Sequence, residues 1–228
     1  MTPRTYHMVI SSTHTVSAIP SYNHFTTTIE DLRIHFIHER SGEPDAIPLV
    51  LLHGWPGSFL EVLPVIKPLT QKAKTSMGKD VSFDIVVPSL PGFAFSQAPP
   101  ASWTVMDTAR IFHSLMTDIL GYRTFAVNGT DWGSGIAYAL YEQYPAATRG
   151  VHFSMIPFMP LLQDQLTARG ITLNPEEQFQ EQRFAGWNMT GNAYFMVQAT
   201  KVLNTTYKVK ALMANVISAN YDRTGLAG

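Results

Sequence analysis

Phe125-Ala126-Val127-Asn128-Gly129-Thr130-Asp131-Trp132-Gly133-Ser134 runs from an apolar stretch through Gly-x-Asp-x-Gly into a segment of helical spacing that lasts to Tyr144. Strand, tight turn and helix in this order have the spacing of a nucleophile elbow, with Asp131 where a serine usually stands. The turn is tight and strained, which calls for small residues on both sides, here Gly129 and Gly133. A carboxylate in that position lies at the mouth of a sheet beside a helix N-terminus, whose positive dipole end favours the ionised form. Asp is also a common helix cap in Gly-rich turns. The turn alone therefore leaves two readings of Asp131 open, a nucleophile and a cap for the helix starting at Trp132.

The surrounding chain supplies the layers that such a turn needs. Leu49-Val50-Leu51-Leu52 is a continuous apolar run, as expected of a strand buried on both faces of a parallel sheet. Phe83 to Val87 and Phe125 to Val127 repeat the pattern, and Val151 to Met155 resembles it. Helical spacing fills the gaps at Phe59 to Leu69, Val105 to Leu120 and Gly133 to Tyr144, the second placing Val105, Ala109, Phe112, Met116 and Ile119 on one face. His24 to Ile29 and Leu32 to His38 read as a β-hairpin around Glu30-Asp31. Alternating strands and helices predict the α/β class, a mostly parallel sheet with flanking helices. From Pro157 the pattern is helical only, with a start at Asn174-Pro175-Glu176-Glu177, where Asn caps, Pro takes the first position and acids face the dipole. The expected division is an irregular leader over 1–21, an α/β core over 22–156 and a partial cap segment over 157–228.

Composition narrows the function classes. A chain of 228 residues, 45% hydrophobic and 14% charged, can bury one sizeable core. A formal net charge of -1 without a basic block gives no footprint for nucleic acid, so a small molecule is the expected partner. The four lysines between Lys67 and Lys79 are spread through a loop and read as solvated surface. With no cysteine, neither a disulfide framework nor a thiol nucleophile is available, which fits the cytoplasm. The first twenty residues lack the apolar core of a signal peptide, and no run is long enough to span a bilayer. The histidines are scattered, and His35 and His38, three apart on a strand, face opposite sides, so no metal site is expected.

His53-Gly54-Trp55-Pro56-Gly57 follows the first buried strand directly. A loop there contributes one backbone N–H to an oxyanion hole, and the residue after the nucleophile contributes the other, so Trp55 and Trp132 are the expected donors. His53 itself reads as a structural histidine of a Gly/Pro turn. The run His53 to Ser58, the stretch Pro88-Ser89-Leu90-Pro91-Gly92-Phe93 and the Asp131 turn together resemble α/β-hydrolase-fold epoxide hydrolases of the microsomal-type and fungal branch. Val151-His152-Phe153 and Gln198-Ala199-Thr200-Lys201 extend the likeness.

The resemblance implies a cofactor-free, two-step hydrolysis of a small hydrophobic epoxide. The Asp131 carboxylate opens the ring to leave an alkyl ester, and water then cleaves the ester. It also implies a cap tyrosine that protonates the departing oxygen, a role matched by Tyr194 from its spacing to Gln198. Ester cleavage needs a histidine base and an orienting carboxylate after the nucleophile in chain order. The only histidine after Asp131 is His152, in the strand that follows the elbow helix, and it reads as structural. Val202 to Gly228 departs from the family pattern, and the N-terminal extension usual in this branch is not recognised, so the expectation is an incomplete hydrolase without its acid, its base, the rest of its cap and its last strands. Two alternatives stand beside it. One is dehalogenation, since haloalkane dehalogenases of this fold also use an Asp elbow, with Trp132 beside the halide and Tyr194 as the discriminating acid. The other is a non-catalytic, truncated hydrolase.

Overall fold

The computed structural model describes residues 7–8, 22–155, 161–191 and 193, which fall into two compact units, Met1–Pro157 and Phe158–Gly228. The first unit is built on a seven-stranded sheet. Its strands are β1 (His7–Met8), β2 (His24–Ile29), β3 (Leu32–Glu39), β4 (Ile47–Leu52), β7 (Phe83–Pro88), β8 (Phe125–Gly129) and β9 (Thr148–Phe153), in the spatial order β1-β2-β3-β7-β4-β8-β9. β7, β4, β8 and β9 are parallel, while β1, β2 and β3 add antiparallel strands at one edge. β5 (Ala73–Lys74) and β6 (Asp80–Val81) form a separate two-stranded ribbon.

The β2–β3 hairpin closes through Glu30 and Asp31, both at positive φ (51° and 62°). That pair of left-handed residues gives the turn a twist matching its strands. The hairpin, β4, β7 and β8 lie where the sequence pattern predicts them. β9 starts earlier, at Thr148, because parallel pairing with Phe125 recruits Thr148, Arg149 and Gly150, which carry little strand signal of their own. His7–Met8 pairs with β2 inside the stretch read as an irregular leader.

Helix placement follows from the strand order. α1 (Leu63–Thr70) lies between β4 and β7 in the chain, and α2 (Val105–Ser114) and α3 (Trp132–Gln143) follow β7 and β8. The path from β4 to β7 moves along the sheet in one direction, and the paths from β7 to β8 and β8 to β9 move in the other. Right-handed crossovers in opposite directions put their helices on opposite faces. Two buried clusters record this. Val50, Leu52 and Val86 join Phe112, Met116, Ile136 and Leu140, whereas Leu51, Ile85 and Val87 join Phe59, Leu63 and Ile66. Adjacent residues of one strand thus enter different cores, and a continuous apolar run is the only pattern that satisfies both.

The helix predicted over Val105 to Leu120 is capped by Thr104 and Asp107, but it changes at Leu115–Ile119 to a wider π turn. The extra residue per turn lets the consecutive Leu115 and Met116 both reach the core. In the second unit, α4 (Gln163–Ala168) precedes α5 (Pro175–Thr190), which opens with a capping box between Asn174 and Glu177 and has Pro175 in its first turn. α5 buries none of its side chains among the described residues.

Two histidines of β3 are buried in opposite directions. His35 Nε2 is 2.9 Å from His24 Nδ1 and His35 Nδ1 is 2.9 Å from Ser89 Oγ, while His38 Nε2 is 2.9 Å from the Tyr122 hydroxyl, which donates to Asp84. Burial, with the His24 charge adding to it, lowers His35 to about 3. Burial and Arg40 lower His38 to about 4 against the pull of Asp84. Both lie below the ordinary 6.5, so the unfolded chain takes up these protons first. The stability they contribute is complete above pH 6.5 and is lost as pH falls toward the folded values. Urea melts between pH 7 and 4.5 are expected to show a falling midpoint, at up to ~1.4 kcal/mol per histidine per pH unit, with a shallower fall in His35→Gln.

Candidate active site

The register Leu51 to Asn128 and Leu52 to Gly129 sets the carboxyl ends of β4 and β8 side by side. The chain leaves β4 toward one face and β8 toward the other, which makes this the switch point at the carboxyl ends of the strands, the place where sheets of this kind bind ligands. His53 to Gly57 forms one wall, and Thr130-Asp131 forms the other.

Asp131 has φ 49° and ψ -124°, a conformation that residues with a side chain rarely adopt. Such strain costs on the order of 1–3 kcal/mol and persists only where neighbours enforce it. Several do. The Thr130 N–H donates to Leu52 O at 3.1 Å, the Ser134 N–H to Asp131 O at 2.9 Å, and the Ser134 hydroxyl to Gly129 O at 2.7 Å. A Cβ on Gly133 would overlap the backbone of Leu52 and His53, and one on Gly129 would overlap Gly133 itself. The two glycines are therefore required by close approach of helix to strand.

Asp131 occupies the N-cap position of α3, yet its side chain makes no capping hydrogen bond. Its Oδ1 instead accepts the Trp55 N–H at 2.8 Å, from a loop 76 residues away in sequence. The competing reading, a simple cap, has no bond to support it. A nucleophilic carboxylate that forms an ester develops its oxyanion on its own oxygen during ester cleavage, so an N–H donor on Oδ1 is placed for that charge. Trp132 opens α3 directly after Asp131 and is 38% exposed.

The opposite wall is held by His53. The ring is fully buried, its Nε2 accepts the Leu90 N–H at 3.1 Å, and its Nδ1 lies 3.1 Å from Gly54 O. Because a backbone N–H can only donate, Nε2 is unprotonated and Nδ1 carries the hydrogen that Gly54 O accepts. Burial lowers the His53 pKa, and the bond to Gly54 opposes it. A neutral ring thus ties the Trp55 loop to the 88–92 loop. Gly54 packs against Asp131 so closely that a Cβ would strike its side chain, and the Trp55-Pro56 bond is cis.

His152 lies on β9, where its Nδ1 is 2.6 Å from Asn128 Oδ1 on β8. Tyr194 and the run 198–201 lie outside the described residues. No group of three or more metal-ligating side chains gathers among the described residues, and no described helix is long and apolar enough to cross a membrane. Spacing alone left out the braces of the site: the N–H groups of Thr130, Ser134 and Leu90 and the Ser134 hydroxyl, whose acceptors no residue pattern marks.

A mostly parallel sheet with this turn at the carboxyl ends of its strands is the architecture of the α/β hydrolases. The alpha/beta hydrolase fold model matches residues 47–216, running past Lys201 into the stretch read as unmatched, and the model of the epoxide hydrolase N terminus matches residues 13–62, from within the leader. The first match covers well over half of the chain, which therefore belongs to the α/β-hydrolase fold family, in its epoxide hydrolase branch. Epoxide hydrolase 1 of Oryctolagus cuniculus is 38% identical over 61% of this chain and 32% of its own length. Juvenile hormone epoxide hydrolase 1 of Ctenocephalides felis is 33% identical over 77% of this chain and 36% of its own. The solved structure of the Aspergillus niger epoxide hydrolase superposes with a TM-score of 0.62 at 32% identity, over 83% of this chain and 48% of that one. The chain thus spans between about a third and a half of these relatives.

The close approach at the elbow sets an expected stability difference. Gly133→Ala forces a Cβ into backbone that cannot yield, whereas Gly150 on β9 has nothing within 4 Å of the added atom. Denaturant unfolding is expected to show a loss of about 2 kcal/mol or more for Gly133→Ala and a change within about 0.5 kcal/mol for Gly150→Ala.

Proposed function

We propose that the chain carries the nucleophilic half of an epoxide hydrolase. Asp131 attacks a carbon of a small hydrophobic epoxide, the C–O bond of the ring breaks, and the product is a hydroxyalkyl ester on Asp131. The observation that carries this reading is the strained carboxylate that ignores its own helix and accepts the Trp55 N–H. The epoxide hydrolase names of the relatives support the choice of electrophile.

In this reading Tyr194 gives a proton to the ring oxygen as it leaves, so that the alkoxide is discharged as a hydroxyl. The Trp55 N–H, with that of Trp132, holds the carboxylate oxygen in line and stabilises the negative charge during ester cleavage. Residues 157–228 act as a partial cap segment. No base is assigned for the second step, because His152 is engaged with Asn128 on the sheet.

Incubation with excess styrene oxide, followed by intact-mass measurement and peptide mapping, tests this. The expected result is one added epoxide mass on the peptide that contains Asp131 and none on Asp131→Asn. An unmodified wild-type chain that still unfolds cooperatively, or a label that persists in Asp131→Asn, overturns the assignment.

A further inference from the structure

Glu61 stands in the short 3-10 helix Phe59–Val62 that follows the Trp55 loop, and the sequence analysis gives it no role. Its carboxylate lies over Gly57: a Cβ added there would fall on Glu61 Oε1. The Ser58 N–H interacts with the same carboxylate, while the Ser58 hydroxyl accepts the Leu60 N–H at 3.3 Å and Ser58 O accepts the Glu61 N–H at 3.1 Å. Ser58-Phe59-Leu60-Glu61 has the Ser-x-x-Glu spacing of a capping box, in which the acid reaches back to the N-terminal N–H.

The carboxylate also senses the elbow. Burial raises its pKa, the Ser58 N–H opposes that rise, and the negative charge of Asp131 adds to it. Glu61 and Asp131 therefore sit within electrostatic reach across the loop that joins them. His53 fixes one end of that loop, through Gly54 O and the Leu90 N–H. Gly57 and Ser58 form its other end, and there the polar side chain laid on the backbone is that of Glu61.

We propose that Glu61 is a positioning residue for the Asp131 chemistry, holding Gly57 and Ser58 so that the loop aims the Trp55 N–H at Asp131 Oδ1. Gly57 is the partner of this device, since any side chain there displaces the carboxylate. The role belongs to the hydrogen-bonding end of the side chain, not to its charge. Glutamine, which keeps an acceptor at the same reach, therefore preserves it, and alanine removes it. The inference rests on Asp131 as nucleophile for its kinetic test, but not for its spectroscopic one.

Two measurements on the full chain separate these. The protein has four tryptophans, so selective 15N-tryptophan labelling gives four backbone amide signals, and Trp55→Phe identifies that of Trp55. Asp131→Asn is expected to move that signal, because it changes the acceptor at 2.8 Å. Glu61→Ala and Gly57→Ala are expected to move it as well, and Glu61→Gln to leave it near the wild-type position. In parallel, the rate of styrene oxide labelling is expected to fall about fivefold or more in Glu61→Ala and Gly57→Ala, to fall no further in the double variant, and to recover in Glu61→Gln. A Trp55 signal unmoved by Glu61→Ala overturns the positioning role, even if the melting temperature drops. Equal losses in Glu61→Gln and Glu61→Ala overturn it in favour of a charge effect. A wild-type chain that takes no label sinks the nucleophile reading alone, and the amide signals then decide the role of Glu61.

Discussion

The site depends on a backbone conformation that the local chain disfavours. At φ 49° and ψ -124°, Asp131 is kept out of the helix it precedes, and its carboxylate turns toward the neighbouring loop instead of capping the first turn of α3. Five supports act on that one residue: the hydroxyl and N–H of Ser134, the N–H of Thr130, and two glycines that let α3 press against β4 and β8. The cost of the strain is distributed over contacts that no substrate touches, and its result is a carboxylate held before any ligand arrives.

The sheet makes those supports possible. Opposite crossover directions on either side of β4 send α1 to one face and α2 and α3 to the other, so the chain leaves β4 and β8 toward opposite faces, while the first residues of the two loops stay in contact. His53 then converts a glycine-rich loop into a rigid wall. A neutral imidazole, with a donor at one nitrogen and an acceptor at the other, satisfies one carbonyl and one N–H belonging to different loops. A protonated ring could satisfy only the carbonyl. Burial, which disfavours the charged form, and loop attachment therefore support one another.

Much of the core was legible because its pattern is periodic. Leu49 to Leu52 announces burial on both faces by being apolar throughout, and its alternate residues do enter the two clusters. Asn174 to Glu177 mark the start of α5, because caps act within four residues of chain. The π turn at Leu115–Ile119 and the early start of β9 at Thr148 were not legible, since each is set by what packs against it. The same division holds at the site. Gly129, Asp131 and Gly133 declare a turn, and the His53 loop declares a companion to it, but the N–H braces from Thr130, Ser134 and Leu90 are backbone groups common to every residue, and the Ser134 hydroxyl finds its acceptor only in the folded turn.

The sequence by itself determined the α/β class, the strand and helix order, and the placing of an acid in a Gly-x-Asp-x-Gly turn after a buried strand, because these are local consequences of side-chain period and size. It left Asp131 divided between capping and nucleophilic roles, since both use the same residue in the same turn. Only the tertiary structure decided that the side chain makes no capping bond and accepts an N–H from residue 55. The parallel register of β4 and β8 brings the two loops together, and a register is fixed by contacts between strands that are remote in the chain.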